Sequence, residues 1–155
     1  MNATKFLTAR NIVIAEAALL LVCLMVPGMR EAAAKREAEG AASEIRQVIH
    51  AAAEARAQHA EWPEDGKPGS APESLRPFLV GDTKFDHRNY QLDWDYWRLS
   101  EGAASFDRRS EFAGVSITTR DPQLLNLVAT ALKPERLQYQ VGDRATFVLA
   151  GPGVE

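Results

Sequence analysis

The feature that most constrains this chain is one helical pattern that begins apolar and ends polar. The apolar run 11–29 is interrupted by a single charge, Glu16, and passes without a loop signal into the Ala-, Glu- and Arg-rich stretch 30–61. Trp62-Pro63 closes the pattern, because proline cannot continue a helix. A membrane-spanning helix needs about 20 apolar residues, and about 17 can suffice. We therefore predict a transmembrane segment over 11–29 that continues into a water-facing stalk helix over 30–61.

Charges that flank the apolar run predict its orientation. Lys5 and Arg10 precede the run, and positive residues flank the cytoplasmic end of membrane helices. We therefore expect residues 1–10 in the cytoplasm of a bacterium, a single pass through its inner membrane, and residues 62–155 in the periplasm. A cleavable secretory signal is the rival interpretation. Its candidate cleavage sites near 32–34 fall inside the continuous helical pattern, which favours the uncleaved anchor.

Composition excludes several classes of function. The net charge is -3 at pH 7, so we expect no basic face that would neutralise the phosphates of a nucleic acid. The lone cysteine, Cys23, rules out a disulfide within the chain and a cysteine metal site, and its place in the apolar run predicts a packing role. No nucleophile elbow, P-loop, dinucleotide-binding or zinc-protease motif is present. We expect no catalysis, no cofactor and no metal.

Residues 62–155 are predicted to form an α+β head that packs on the second half of the stalk. A narrow apolar stripe at helical spacing marks that half: Ala41, Ile45, Val48, Ile49 and Ala52. Alternating apolar residues predict strands over 90–96 and 113–119. The order of the elements indicates a small antiparallel sheet against the long helix.

The C-terminal third predicts one short helix and a hairpin. Asp121-Pro122 is a typical helix start, with Asp as the N-cap and Pro at the first helical position. The apolar residues that follow lie on one side of a helix that ends at Lys133-Pro134. Two further strands, 137–141 and 145–150, surround Gly142-Asp143, a pair typical of tight hairpin turns.

The N-terminal 63 residues resemble the type IV pilin and pseudopilin family. Pilins have a proline late in the apolar segment, then an Ala- and charge-rich helix closed by an aromatic-Pro pair. Here Pro27, the stretch 41–46 and Trp62-Pro63 occupy those places at similar spacing. Counting back to the start of a mature pilin lands on Phe6, the residue type with which pilins begin. The resemblance implies a structural subunit that packs through its N-terminal helix.

Two positions depart from the family pattern. The prepilin peptidase cuts after Gly, and this chain has Lys5 in that place. The family's assembly Glu, fifth in the mature protein, falls on Arg10. If Lys5 blocks processing, the resemblance implies an uncleaved subunit in the assembly machinery or at a tip. Arg10 would then meet a carboxylate on a partner's helix.

Four N-terminal residues are the candidate helix-pairing positions: Phe6, Arg10, Glu16 and Pro27. An ionised carboxylate in hydrocarbon is costly and indicates a functional site, so Glu16 is expected to pair with a basic residue of a neighbouring helix. The alternative is that Glu16 lies close enough to Arg10 to extend to the headgroups.

Acidic and histidine residues are read as solvated. Asp82, Asp86, Asp93 and Asp95 form an acidic region, and some pilin relatives bind calcium in a C-terminal loop, but the spacing matches no calcium loop. Asp93 and Asp95 are predicted to lie on the solvent side of their strand. His50 and His59 do not share a helix face, so neither is expected to bind a metal.

Aromatic residues near one strand are the candidate partner surface: Trp94, Tyr96 and Trp97. Trp97 is out of phase with the others, so it lies on the polar face unless a bulge returns it to the core. We slightly favour the bulge.

The sequence thus predicts a pilin-like subunit of a type II secretion or type IV pilus-like system. Its expected partners are other pilin-like subunits, the inner membrane and secretion or pilus machinery proteins. One alternative is a single-pass anchored periplasmic binding module that does not polymerise. A cleaved secreted enzyme with an unrecognised site is the third interpretation.

Overall fold

A computed structural model describes residues 3–98, 111–132 and 137–151, with side chains described for 28–98, 111–132 and 138–151. The elements are two helices and four strands, here labelled α1 (Ala3–His59), β1 (Gln91–Arg98), β2 (Glu111–Thr118), α2 (Pro122–Leu132), β3 (Leu137–Val141) and β4 (Arg144–Ala150). A 3-10 turn, Arg76–Phe78, lies in the connection between α1 and β1. The chain divides into two compact units, residues 1–36 and 37–155.

The α+β class predicted from the sequence is confirmed. The four strands form one antiparallel sheet in the order β1-β2-β4-β3. Along the chain, α2 and β3 come between β2 and β4, the two central strands. The β3-β4 hairpin turns at Gly142-Asp143, as its sequence predicts. Gly142 has φ +62°, and a glycine with positive φ at the first turn position suits the type II′ turn that matches strand twist.

The apolar stripe of α1 is buried as predicted. From Ala38 to Ala55 one face of the helix contributes small and β-branched side chains to the same core as the inner face of the sheet. Among the described residues the buried stripe begins at Ala38, and the second compact unit begins at Glu37. Residues 28–33, by contrast, are exposed.

One core unites α1, α2 and the sheet. Its fully buried large side chains come from all three: Ile45, Val48, Leu92, Trp94, Val115, Ile117, Leu124, Leu125, Val128, Leu132 and Phe147. The Trp94 indole N–H donates to the Pro63 carbonyl at 3.1 Å, which satisfies the polar atom of the largest core residue. The aromatic-Pro pair that ends the helical pattern is therefore tied directly to β1.

The end of α1 carries an uncommon backbone conformation. Ala60 has φ +59° and its N–H donates to the Arg56 carbonyl at 2.8 Å, which closes the last turn of the helix. Glycine usually occupies this left-handed position. The turn brings Trp62 under the Arg56 guanidinium, 4.3 Å from the ring centroid.

A connecting loop covers the outer edge of β1. The Gly66 N–H donates to the Trp94 carbonyl at 3.1 Å, and the Gly69 N–H donates to the Leu92 carbonyl at 2.9 Å. The Asp65 carboxylate accepts the Tyr96 N–H at 2.9 Å. Three bonds thus protect an edge whose free backbone groups would otherwise attract another strand.

Helix α2 begins as its sequence predicts. The Asp121 side chain accepts the N–H groups of Gln123 at 2.9 Å and Leu124 at 3.3 Å, as an N-cap does. Its buried residues, from Leu124 to Leu132, recur at helical spacing on one side.

Candidate functional site

A polar network lies on the outer face of the sheet, opposite α1. Register alignment places Asp93 beside Ser116, and Ser116 beside Thr146 on the next strand. Asp95 accepts a hydrogen bond from the Ser116 hydroxyl, which lies 2.7 Å from the Thr146 hydroxyl. Arg144 donates to both carboxylates, at 3.1 Å to Asp93 and more closely to Asp95. Three strands are therefore linked by side chains as well as by their backbones.

The two carboxylates of this network are almost completely buried. Asp93 is 7% exposed and Asp95 8%, so the prediction that they point to solvent is wrong. The alternation places them correctly on the face opposite Trp94, but neighbouring side chains cover that face. Arg144, about fifty positions later in the chain, supplies the cation that makes their burial tolerable.

Burial perturbs the acid chemistry of the network. It raises the pKa of Asp93 from 3.8 to about 6, and the Asp95 charge adds to the rise while Arg144 opposes it. Burial alone would lower the pKa of Arg144, but the hydrogen bonds and charges of the two aspartates raise it overall. The Oδ1 atom of Asp93 has no hydrogen-bond partner among the described residues. Protonation of Asp93 at mildly acidic pH would remove the charge from this unpartnered oxygen.

Exposed aromatic side chains border the network. Trp97 is 47% exposed and stacks on Phe112, with ring centroids 4.1 Å apart and planes 9° from parallel. The ring centroids of Phe112 and Tyr139 are 6.1 Å apart, and Tyr139 is 43% exposed. A depression of about 210 Å³ lies between the aromatic residues and the polar network, lined by Asp95, Trp97, Tyr139, Val141, Arg144 and Thr146. We call these six residues and Phe112 the outer-face surface.

The outer-face surface includes one of the three predicted partner residues. Trp97 lies on the outer face because β1 pairs with β2 without a bulge up to Arg98, so the favoured expectation of a bulge is wrong. Trp94 is 0% exposed in the core and cannot meet a partner directly. Tyr96 is half-buried against the core on the inner side. The prediction missed Tyr139 and Arg144, because nothing local in the sequence shows that side chains of β3 and β4 share the outer face of the sheet with those of β1.

A second polar cluster joins α1 to the loop before β1. Glu44 accepts from the His87 Nε2 at 2.8 Å and from the Tyr90 hydroxyl at 2.9 Å. The His87 and Tyr90 rings stack with centroids 4.2 Å apart. Burial, with the Glu44 hydrogen bond and charge, raises the pKa of Tyr90 well above its usual range. The cluster fixes the loop to the helix, and Tyr90 remains a neutral donor.

A polar cleft of about 780 Å³ lies near the start of α2. Its lining carries both signs of charge, from Arg88 and Arg120 and from Asp121 and Asp143. Mixed charges give no field of one sign that would select an ion. We assign it no ligand.

The histidines of the stalk and the acidic residues form no described metal site. His50 lies 3.6 Å from Glu54 on an exposed face of α1, and His59 packs edge-on to Phe78. Within residues 28–98, 111–132 and 138–151, no group of three or more His, Cys, Asp or Glu side chains is placed to hold a metal ion.

The N-terminal predictions concern residues whose side chains lie outside the described set. These are the transmembrane segment 11–29, except for its last two residues, and the helix-pairing positions Phe6, Arg10, Glu16 and Pro27. Among the residues whose side chains are described, no helix is long and apolar enough to cross a membrane.

No protein-family model, curated protein or solved structure matches this chain.

Proposed function

We propose that this chain is a membrane-anchored, pilin-like structural subunit of a type II secretion or type IV pilus-like assembly. One observation carries the proposal: a single helix, Ala3–His59, supplies both the apolar N-terminal sequence and the face on which a four-stranded antiparallel sheet packs. The resemblance in sequence covers that helix and the Trp62-Pro63 pair that ends it. In this role residues 11–29 cross the inner membrane and the head lies in the periplasm.

The burial pattern along α1 supports a subunit that works by helix packing. Within residues 28–59, the buried Ala-rich face of the helix begins at Ala38. Residues 28–33 are exposed and combine Met29 with charged side chains, so they are available to other subunits. In the proposed assembly the N-terminal helix packs among other such helices, and Arg10 and Glu16 pair with opposite charges there.

Purification of the full chain from membranes tests this proposal. A C-terminally tagged chain is expressed in a bacterium that carries the adjacent genes, extracted in mild detergent, and its partners and N-terminus are identified by mass spectrometry. We expect an intact N-terminus and other pilin-like subunits among the partners. Arg10→Ala should reduce the recovery of those subunits at least severalfold, because it removes the charge that meets a partner helix.

Arg36→Ala is the matched control, since Arg36 is an exposed cation of the same helix. Equal recovery of pilin-like subunits with both variants would argue against the role of Arg10. Absence of such subunits from the unaltered chain would argue against a pilin-like assembly. Cleavage near 32–34 would remove the anchor and contradict the proposal entirely.

A second candidate function is an anchored periplasmic binding module. The outer-face surface favours it, because half-exposed Trp97 and Tyr139 flank a depression over a rigid polar network. Aromatic residues of this kind are enriched at protein interfaces. Recovery of a single non-pilin partner, lost in Trp97→Ala, would support the module.

A further inference from the structure

The two edges of the sheet differ in how they are protected. The loop 65–70 covers the edge of β1 with hydrogen bonds. At the other edge, β3 pairs only with β4 within the part of the chain that the structure describes. Residues 138–141 are all exposed, and Val141 reaches 71% exposure. The strand therefore offers a row of backbone groups to another chain.

Strand β3 lacks the features that usually prevent edge pairing. Exposed edges normally carry lysine, proline, an inward charge or a bulge. The β3 sequence, Leu-Gln-Tyr-Gln-Val, has no charge and no proline, and its pairing with β4 has no register shift. The sheet thus has one covered edge, at β1, and one open edge, at β3. An open edge strand of this kind can bind a strand of another chain.

The β3 sequence is close to a palindrome about Tyr139. An apolar residue stands at each end, a glutamine lies on either side of the centre, and the aromatic residue is central. Two copies aligned antiparallel about Tyr139 would match Gln138 with Gln140, and Leu137 with Val141. Such self-matching is what a twofold-symmetric interface requires, because the same patch serves both partners.

The direction of the free backbone groups agrees with this register. The two residues that flank a two-residue hairpin turn exchange both hydrogen bonds, so Val141 and Tyr139 are bonded to β4. The N–H and C=O groups of Gln138 and Gln140 then face the free edge. Pairing centred on Tyr139 satisfies these groups in both copies, and the two Tyr139 residues become a close, non-hydrogen-bonded pair.

The space beside the edge is also open. Gln138 and Gln140 point to the same side of the sheet as α1, yet both remain exposed. Among the residues whose side chains are described, neither helix therefore covers that side of β3. On the other side, Tyr139 belongs to the outer-face surface, so pairing would place two aromatic side chains together across the axis.

We propose that the β3 edge binds the β3 edge of a second copy of this chain, so that two heads share one continuous eight-stranded antiparallel sheet. The inference does not depend on pilin-like assembly. It rests on the sequence and exposure of β3 and on its pairing with β4.

Disulfide trapping tests the proposed register. In a Cys23→Ser background of the full chain, purified in detergent, Tyr139→Cys places two thiols at the twofold axis. The Cα atoms of residues opposed at a non-hydrogen-bonded antiparallel position are about 4.5 Å apart, a distance that a disulfide can bridge. Val141→Cys is the matched control, because the same register separates its two copies by roughly 14 Å. We expect Tyr139→Cys to form at least tenfold more covalent dimer on mild oxidation.

The trapping experiment has outcomes that overturn the proposal. Maleimide labelling first establishes that both thiols react. Equal dimer yields from the two variants would indicate random collision, including pairing through the N-terminal helices in a shared micelle. No dimer from Tyr139→Cys would show that a second copy does not occupy the edge.

Charge substitutions provide an independent test without cysteines. Gln138→Lys with Gln140→Lys opposes like charges at both matched positions, and should weaken self-association at least tenfold by sedimentation. Gln138→Lys with Gln140→Glu opposes unlike charges and should preserve it. Circular dichroism and the midpoint of thermal unfolding establish that both variants fold. Equal association of the two variants would contradict the register.

Discussion

At the scale of single residues, the buried pair Asp93 and Asp95 controls the outer face of the sheet. Neither carboxylate would be tolerated without Arg144, whose guanidinium bonds to both. The Ser116 and Thr146 hydroxyls extend the network across the central strands. The network therefore forms part of the lining of the depression that Trp97 and Tyr139 border.

We predict that Asp93 makes stability depend on pH. Its pKa rises from 3.8 to about 6 on folding, so the native state binds this proton more tightly than the unfolded state. The contribution of Asp93 to the free energy of unfolding is therefore greatest below about pH 4, and it is lost as the pH rises to about 6. The side chain that Asp93→Asn introduces does not titrate. As the pH rises from 4 to 6.5, the free energy of unfolding of this variant should therefore increase by about 2 kcal/mol relative to that of the unaltered chain.

Urea unfolding at a series of pH values measures this difference. Asp82→Asn, at an exposed position, is the control and should follow the unaltered chain. If Asp93→Asn also follows it across the range, the buried carboxylate does not bind a proton on folding.

A second residue-scale prediction concerns the end of α1. Ala60→Gly should stabilise the chain by about 0.4 to 1 kcal/mol, because glycine adopts the observed φ of +59° without steric cost. Ala53→Gly, at an exposed interior position of the same helix, should destabilise by about 1 kcal/mol. Thermal unfolding of the two variants should shift in opposite directions, and a shift of the same sign would contradict a left-handed Ala60.

At the scale of elements, the small residues of the α1 stripe belong to the same buried core as the inner face of the sheet. Ala41, Ala42 and Ala52 are 0% exposed, and Ile45 and Val48 fill the space between them. The stripe is narrow because the opposite face carries exposed Glu39, Arg46 and His50. Alanine therefore suits the buried positions of α1 because it is small, and the exposed positions because it favours the helix.

We predict that the two roles of alanine separate in adjacent variants. Ala52→Leu should destabilise the chain by about 1 to 3 kcal/mol, since a larger side chain has no space in the core. Ala53→Leu, at the neighbouring exposed position, should change stability by less than about 0.5 kcal/mol. Denaturant unfolding measures both, and equal effects would show that residue 52 does not face the sheet.

At the scale of the whole molecule, residues 37–155 form a compact unit with a core of their own. Within the part of the chain whose side chains are described, the buried core runs from Ala38 to Phe147 and lies inside this range. The proposed membrane helix and the head can therefore be studied apart.

We predict that residues 37–155 fold without the first 36. The shortened chain should show a single cooperative transition, with a near-ultraviolet spectrum dominated by the buried Trp62 and Trp94. Its unfolding midpoint should lie within a few degrees of that of the full chain, because the described core residues all remain. A chain without a cooperative transition would show that the N-terminal unit is needed for folding. A Leu125→Asp version of the shortened chain, with a charge in the core, is the unfolded control.

The helices, the strands and their turns are predicted by the sequence, because their signals depend on residues a few positions apart. The stripe from Ala41 to Ala52, the N-cap Asp121 and the turn at Gly142-Asp143 all lie where local patterns place them. The strand alternation also assigns Asp93 and Trp94 to opposite faces.

The tertiary structure decided which outward positions are truly exposed and which edge of the sheet is open. The alternation predicts that any residue opposite the core is solvated. It does not reveal that Arg144, on β4, bonds to the carboxylates of β1 across the outer face of the sheet. Trp97 is on the outer face because β1 stays in register with β2 to its end, a fact set by pairing between strands. Burial and partnership depend on contacts between residues distant in sequence, and only the folded chain brings those residues together.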